Sequence, residues 1–176
     1  MAFGGAREPR QPKSCHERAL GLLAVRARSR RELERRLLQA GSDPSEVDEV
    51  LDRLAAVGLI DDEAFARQVA EHGFGAKLAG RRAVAGTLAA AGVAPEVAAR
   101  VIDETAGDDD RRADELAVSR AARLGSVEPA KAFSRLTSLL VRRGYSPDVA
   151  RRAARRALSI DAAGEGPSLA SGFKRP

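Results

Sequence analysis

The feature that most constrains the fold is a glycine–proline pattern repeated at intervals of about 50 residues. Gly41, Gly92 and Gly144 are 51 and 52 residues apart, and a proline follows each glycine three residues later. Apolar residues stand four and eight positions before each glycine, which places them on one face of a helix. Glycine supplies the left-handed conformation that commonly ends a helix, and proline suits the first turn of the next. The pattern therefore predicts a helix, a glycine turn and a second helix, three times over. The repeated prolines are Pro44, Pro95 and Pro147, and the repeated apolar residues are Leu33, Leu37, Val84, Leu88, Leu136 and Leu140.

The composition favours helices along the whole chain. Ala, Leu, Arg and Glu dominate the 176 residues, and aromatic residues make up only 3%, whereas strands prefer β-branched and aromatic side chains. A further helix precedes each pair: Ser14 and Glu17 have capping-box spacing, and acidic runs at 61–63 and 108–110 suit helix N-termini. We therefore predict an all-α fold, an elongated array of three tandem three-helix repeats built from helix-turn-helix-like units.

The same signals give the domain boundaries. We expect three-helix repeats at 14–60, 61–107 and 108–160, flanked by disordered tails at 1–13 and 161–176 that are rich in glycine and proline. A unit of about 50 residues is marginally stable alone, so neighbouring repeats are expected to stack.

Several functional classes are excluded by what the chain lacks. It has no run of about 18 apolar residues to cross a membrane. The N-terminal residues are basic but contain no continuous apolar stretch, so no secretory signal is expected. Cys15 is the only cysteine, which indicates a reducing cytoplasm and an inert, partly buried thiol. His16 and His72 do not form a zinc motif, and the acidic runs are interpreted as helix caps rather than metal or acid–base clusters. We expect no catalytic residues, metal or cofactor, and hence no enzyme.

The arginines provide the positive signal. Residues 111–176 carry 14 basic and 6 acidic groups, whereas residues 61–110 carry 5 and 10. In the last predicted helix four arginines occupy one arc opposite a face of alanines. This arginine arc consists of Arg151, Arg152, Arg155 and Arg156. It is either a contact surface for a polyanionic or charge-patterned partner or simply a solvated face.

Other basic residues extend the candidate surface. They are Arg30, Arg31, Arg35, Arg81, Arg82, Arg142 and Arg143. Glu32 is expected to pair with Arg35 and Arg36 within its own helix and so to absorb part of the first group's charge. A helix that reads DNA should be basic, yet the second helix of the pair is acidic in two of the three units. Sequence-specific DNA binding is therefore not expected.

One block of residues resembles a known family. Leu51–Leu54, then Gly58-Leu59-Ile60-Asp61-Asp62-Glu63 and Phe65-Ala66, are similar to the motif of the RecX family of recombination regulators. Ser29–Leu33 and the closing Leu140–Tyr145 fit as well, so the resemblance covers about residues 17–158. After Phe65-Ala66 the chain departs from the family pattern, which has an aromatic residue and several arginines there.

The resemblance implies a specific function. RecX proteins are helical repeat arrays that bind the RecA protein, lodge along the groove of its filament on DNA, and inhibit its ATPase, strand-exchange and co-protease activities. They thereby modulate DNA repair, homologous recombination and the SOS response, without a cofactor or a small-molecule substrate. The predicted contacts to RecA or to DNA phosphate are the four arginines of the arc and the seven basic residues that extend it. The alternatives are a non-specific DNA-binding helical repeat protein that acts without RecA, and a metal-dependent hydrolase or nuclease.

Overall fold

A computed structural model describes residues 13–159, which form nine helices and no strand. The all-α repeat array is confirmed, and three helices lie within each predicted repeat. Apart from Lys13, the predicted tails lie outside the described residues. In the part of the chain that is described, no helix is long and apolar enough to cross a bilayer. The helices are α1 (Cys15–Val25), α2 (Arg30–Gln39), α3 (Pro44–Ala56), α4 (Asp62–Phe74), α5 (Arg81–Ala91), α6 (Pro95–Thr105), α7 (Asp109–Ala121), α8 (Pro129–Arg142) and α9 (Pro147–Ala157).

The three repeated glycines make the predicted turns. Gly41, Gly92 and Gly144 have φ of +82°, +76° and +92°, a left-handed conformation that costs little only for glycine. The helices α3, α6 and α9 then begin at the repeated prolines. Proline lacks a backbone N–H, but in the first turn of a helix that group has no hydrogen-bond partner within the helix. The glycine–proline pattern therefore sets the end of one helix and the start of the next in each unit.

Side chains at the helix N-termini satisfy free backbone N–H groups. Ser14 and Glu17 form a complete capping box at α1. Asp61 accepts hydrogen bonds at 2.9 Å from two backbone N–H groups in the first turn of α4, and Asp108 caps α7 in the same way. The interpretation of the acidic runs as caps is confirmed. Between residues 13 and 159 no three His, Cys, Asp or Glu side chains cluster as a metal site would require.

The chain divides into two compact units. Within the described range, the first unit comprises residues 13–69 and 87–101. Its core is built by α1, α2 and α3, where Leu33 and Leu37 from the repeat pattern are fully buried. Cys15 is a free cysteine and is buried more completely than predicted. The core residues are Cys15, Ala19, Leu33, Leu37, Val47, Val50, Leu51, Leu54 and Ile60.

The second unit comprises residues 70–86 and 102–159 of the described chain. Its core lies among α7, α8 and α9. Tyr145 directly follows the glycine turn, is fully buried, and donates its phenolic hydrogen to the carbonyl of Leu78 at 2.9 Å. That hydrogen bond satisfies the only polar atom that the tyrosine side chain takes into the core. The core residues are Ala113, Leu116, Ala117, Leu136, Leu140, Tyr145, Ala150, Ala153 and Ala154.

Candidate partner-binding surfaces

The arginine arc lies on the exposed face of α9, opposite the buried alanines. Ser146 caps the start of this helix, accepting a hydrogen bond from the backbone N–H of Val149 at 3.3 Å. The small alanine side chains let α9 pack closely on its neighbours, and all three buried ones are fully inaccessible. The predicted amphipathic helix is therefore present, with its four arginines exposed.

Two arginines of the arc bind aspartates of α7. Arg152 donates through Nε and Nη2 to Oδ1 of Asp110, at 3.1 and 2.8 Å. Arg156 donates through the same two nitrogens to Oδ1 of Asp114, at 2.9 and 2.8 Å. The two pairs link α9 to α7 along the edge of the core.

These hydrogen bonds favour the charged forms of Asp110 and Arg156. The guanidinium of Arg152 lowers the pKa of the Asp110 carboxyl, and the Asp114 carboxylate raises the pKa of Arg156. The paired side chains remain 37–49% exposed, so water screens the attraction and each pair contributes only about 0–1 kcal/mol to stability. The pairs matter more for the charge that this surface presents.

The other two arginines of the arc have different surroundings. Arg151 pairs with Asp148 one turn earlier on α9. The guanidinium of Arg155 lies 6.0 Å from the centre of the Phe133 ring, at the outer limit of a cation–π contact, and has no carboxylate partner among residues 13–159. Four arginines therefore face three aspartates, and the arc presents mixed charge rather than a uniformly basic surface.

In the first unit, α2 contributes three of the predicted arginines. Nη2 of Arg30 lies 2.8 Å from Oδ1 of Asp52 and 3.9 Å from that of Asp48, both on α3. Arg31 pairs with Glu34 on its own helix at 2.8 Å. The acidic residues of α3 that argue against DNA reading thus neutralise the arginine at the start of α2.

The predicted partner of Glu32 is wrong. Its carboxylate binds Arg26, in the loop before α2, with Nη2 2.9 Å from Oε1 and Nη1 3.1 Å from Oε2. This two-point contact lowers the pKa of Glu32. The loop arginine can align its planar group with the carboxylate, whereas side chains spaced along a helix meet at less favourable angles. Arg35 and Arg36 therefore form no hydrogen bond with Glu32, although the charge of Arg36 also lowers the pKa of Glu32 through space.

Besides the arginine arc, Arg30 and Arg31, five predicted arginines remain, and four of them lie in the second unit. Arg81 pairs with Asp103 at 2.7 Å, and Arg143 donates through Nη1 to the carbonyl of Lys77 at 3.0 Å. The remaining three are exposed and form no ion pair with any residue between 13 and 159. They are Arg35 of the first unit and Arg82 and Arg142 of the second.

The structure also shows a basic groove that the sequence analysis missed. It lies between the end of α7 and the middle of α8, has a volume of about 370 Å³, and combines arginines with leucines. Only one of its arginines was among the predicted contacts. The basic excess in residues 111–176 was a signal for it, but the arginines come from two helices and a turn, so no single helical period groups them. The arginine groove is lined by Arg120, Arg123, Leu124, Arg135, Leu136, Leu139 and Arg143.

Fold and surfaces together define a class: helical repeat proteins that present charged helix faces. Comparison with known proteins identifies the family. Residues 15–54 match the family model described as RecX, first three-helix domain. The chain is 41% identical over 150 residues to regulatory protein RecX of Mycobacterium sp. (strain KMS), covering 81% of each chain. It is 38% identical over 145 residues to that of Mycobacterium avium (strain 104), covering 81% of this chain and 84% of the relative. The chain belongs to the RecX family, as the sequence motif predicted.

Solved structures share the fold. The crystal structure of RecX from Lactobacillus salivarius superposes with a TM-score of 0.69 at 19% identity, covering 83% of this chain and 96% of that one. A second crystal structure of a regulatory protein RecX gives the same TM-score at 18% identity, covering 84% of this chain and 70% of that one. The helical array is thus retained at low sequence identity.

Proposed function

We propose that this protein is a cytoplasmic, non-enzymatic negative regulator of the RecA recombinase. It binds the RecA–DNA filament and inhibits its ATPase, strand-exchange and co-protease activities, and so moderates DNA repair, homologous recombination and the SOS response. The observation that carries the proposal is 41% identity over 81% of the chain to a regulatory protein RecX. RecA as the partner is what membership of this family implies.

The charge pattern of the arginine arc favours a protein partner over bare DNA. A surface that binds phosphates gains affinity by releasing counterions, and each phosphate contact steepens the salt dependence. In the arc, Asp110, Asp114 and Asp148 already hold three of the four arginines. Such a mixed surface repels phosphate at its aspartates, while a partner with acidic and basic side chains can match both signs.

The arginines without ion pairs extend the proposed contact. Arg35, Arg82 and Arg142 are exposed, so their charge is available to carboxylates of a partner at little desolvation cost. Arg155 adds a further charge within the arc. We expect these four to dominate the salt-dependent part of the affinity, with the paired arginines adding shape and hydrogen-bond specificity.

A binding experiment separates the two candidate functions. Fluorescently labelled protein is titrated with RecA filaments assembled on poly(dT) with a slowly hydrolysed ATP analogue, and separately with bare poly(dT), at 0.15 M NaCl. We expect binding to the filament at least tenfold tighter than binding to the bare strand. Equal affinity for both would favour the non-specific DNA-binding alternative. On bare DNA, the arc would contribute about −3 to the log–log salt slope if all four of its arginines were free, and near −1 with three of them held by aspartates.

Charge reversal tests the surface. The double variant Arg151→Glu/Arg155→Glu leaves both links from α9 to α7 in place and should weaken filament binding at least fivefold. The matched control is Arg53→Glu/Arg111→Glu, which changes the net charge equally at two exposed arginines without ion pairs among the described residues. If both double variants weaken binding equally, the arc is a solvated face.

A further inference from the structure

The arginine groove of the second unit has two components with different chemistry. It is lined by four arginines, which we call the rim, and by three leucines, Leu124, Leu136 and Leu139, which we call the floor. Leu136 is fully buried in the core, whereas the other two leucines are partly exposed to the groove. No carboxylate lines it. Four positive charges thus line the same groove as an apolar patch, and no carboxylate of the lining compensates them.

The rim arginines are available for an external ligand. Arg120, Arg123 and Arg135 form no ion pair with the residues from 13 to 159, unlike Arg152 and Arg156 of the arc. The guanidinium of Arg143 is positioned by the carbonyl of Lys77, which is neutral and leaves its charge uncompensated. Within one small surface, four like charges repel one another, so a ligand that brings carboxylates relieves this repulsion.

We propose that this groove docks an acidic peptide segment carrying an apolar anchor residue. Guanidinium groups bind carboxylates through paired, charge-assisted hydrogen bonds, and the leucine floor gives an aliphatic side chain an apolar surface to bury against. A volume of about 370 Å³ is near the lower end of ligand pockets. It accommodates the anchor side chains of a short segment rather than a folded element.

The leucine floor also argues against a nucleic acid as the occupant. Single strands bind through basic grooves in which aromatic side chains stack on the bases, and no aromatic residue lines this groove. A sugar–phosphate chain gains nothing from covering leucines. The proposal concerns the groove itself and is independent of whether the natural partner is RecA.

Fluorescence anisotropy with defined probes tests the proposal. The intact protein is titrated at 0.15 M NaCl into a fluorescein-labelled ten-residue peptide of glutamate and leucine, EELLEELLEE. Two comparison probes are the serine peptide EESSEESSEE, which keeps the charge and removes the anchor, and a labelled ten-nucleotide oligo(dT). We expect the leucine peptide to bind at least fivefold tighter than either comparison probe. Equal binding of the two peptides would contradict the claim that an apolar anchor residue contributes to binding. Tighter binding of oligo(dT) would contradict the peptide proposal and indicate a phosphate site.

Variants locate the binding. Arg123→Glu/Arg135→Glu should weaken binding of the leucine peptide at least tenfold. The control Arg53→Glu/Arg111→Glu, which reverses the same number of charges elsewhere, should change the affinity for that peptide less than threefold. Circular dichroism verifies that both variants fold, and all four positions are exposed, so both are expected to. Equal losses in the two variants would mean that net charge alone attracts the peptide, and the groove would not be a docking site.

Discussion

The three repeated glycines have the same backbone conformation but different amounts of space, and this difference gives a sharp prediction. A Cβ built on Gly41 meets nothing within 4 Å. On Gly92 it would lie 2.4 Å from Cγ and 2.5 Å from Cβ of Arg31. On Gly144 it would lie 2.3 Å from the backbone nitrogen and 2.6 Å from Cβ of Ala83. Alanine substitution therefore separates the cost of the left-handed backbone from the cost of lost space.

The magnitudes follow from these distances. Holding alanine in the left-handed region costs about 1–2 kcal/mol, and the entropy that alanine removes from the unfolded chain offsets about 0.4–1 kcal/mol. Gly41→Ala should therefore lower the free energy of unfolding by about 1 kcal/mol. The other two substitutions add overpacking, worth about 1–3 kcal/mol, so Gly92→Ala should cost about 2–4 kcal/mol.

Gly144→Ala should be the most damaging of the three. The atoms in its way are the backbone of α5, which cannot rotate aside as a side chain can. The same turn holds two backbone hydrogen bonds, from Gly80 to the carbonyl of Arg143 at 2.8 Å and from Arg82 to that of Gly144 at 3.2 Å. Separating these segments would strain both bonds, so we expect a loss of at least about 3 kcal/mol.

Urea and thermal unfolding followed by far-UV circular dichroism measure the series. At this chain length about 1 kcal/mol corresponds to a shift in Tm of about 2–4 °C, so Gly41→Ala should lower Tm by that amount and Gly144→Ala by about 6 °C or more. Equal shifts for all three variants would refute the reasoning, because only the common backbone cost would then be present. A larger loss at Gly41 than at Gly144 would contradict the distances directly.

Other predictions concern Tyr145 and the pairs between α7 and α9. Tyr145→Phe leaves the carbonyl of Leu78 without its donor and should cost about 1–2 kcal/mol in urea unfolding; an unchanged midpoint would contradict it. Burial raises the pKa of Tyr145 to about 12 from its usual value of 10.0, because the fold favours the neutral phenol. The stability that the neutral phenol contributes is therefore complete below pH 10 and declines towards pH 12. Because this is the sole tyrosine, tyrosinate absorbance should titrate near 12 in the native chain and near 10 in urea. Asp110→Asn frees Arg152, whereas Arg156 keeps its pairing with Asp114, so the substitution should cost less than about 1 kcal/mol while increasing poly(dT) affinity in anisotropy titrations. Since Arg152 lowers the pKa of Asp110, the wild-type pairing should persist at pH 4 and weaken only as pH falls below the usual value of 3.8.

The local elements of this fold could be predicted because short-range chemistry determines them. The left-handed turn at Gly92, the helix start at Pro95 and the cap formed by Asp61 each depend on residues within a few positions of one another. The arc on α9 follows from helical periodicity alone. Helical periodicity does not predict how closely Gly144 packs, because its neighbour Ala83 lies on a different helix.

The charge that each surface presents could not be predicted for the same reason. Arg156 and its partner Asp114 are 42 residues apart, and only the packing of α9 on α7 brings them together. Local spacing even gave a wrong partner for Glu32, because Arg26 outside the helix has the better geometry. The arginine groove was missed because Arg123 and Arg135 come from separate segments whose proximity is a property of the fold.

The central claim is that this protein acts on RecA filaments, and DNA-dependent ATP hydrolysis by the cognate RecA tests it most directly. RecA is assembled on single-stranded DNA, and this protein is titrated from far below one molecule per RecA subunit. We predict that hydrolysis falls at substoichiometric ratios, because one bound molecule must then affect many subunits. Inhibition only at amounts that coat the DNA would indicate competition for phosphate, and undiminished hydrolysis at every ratio would contradict the claim.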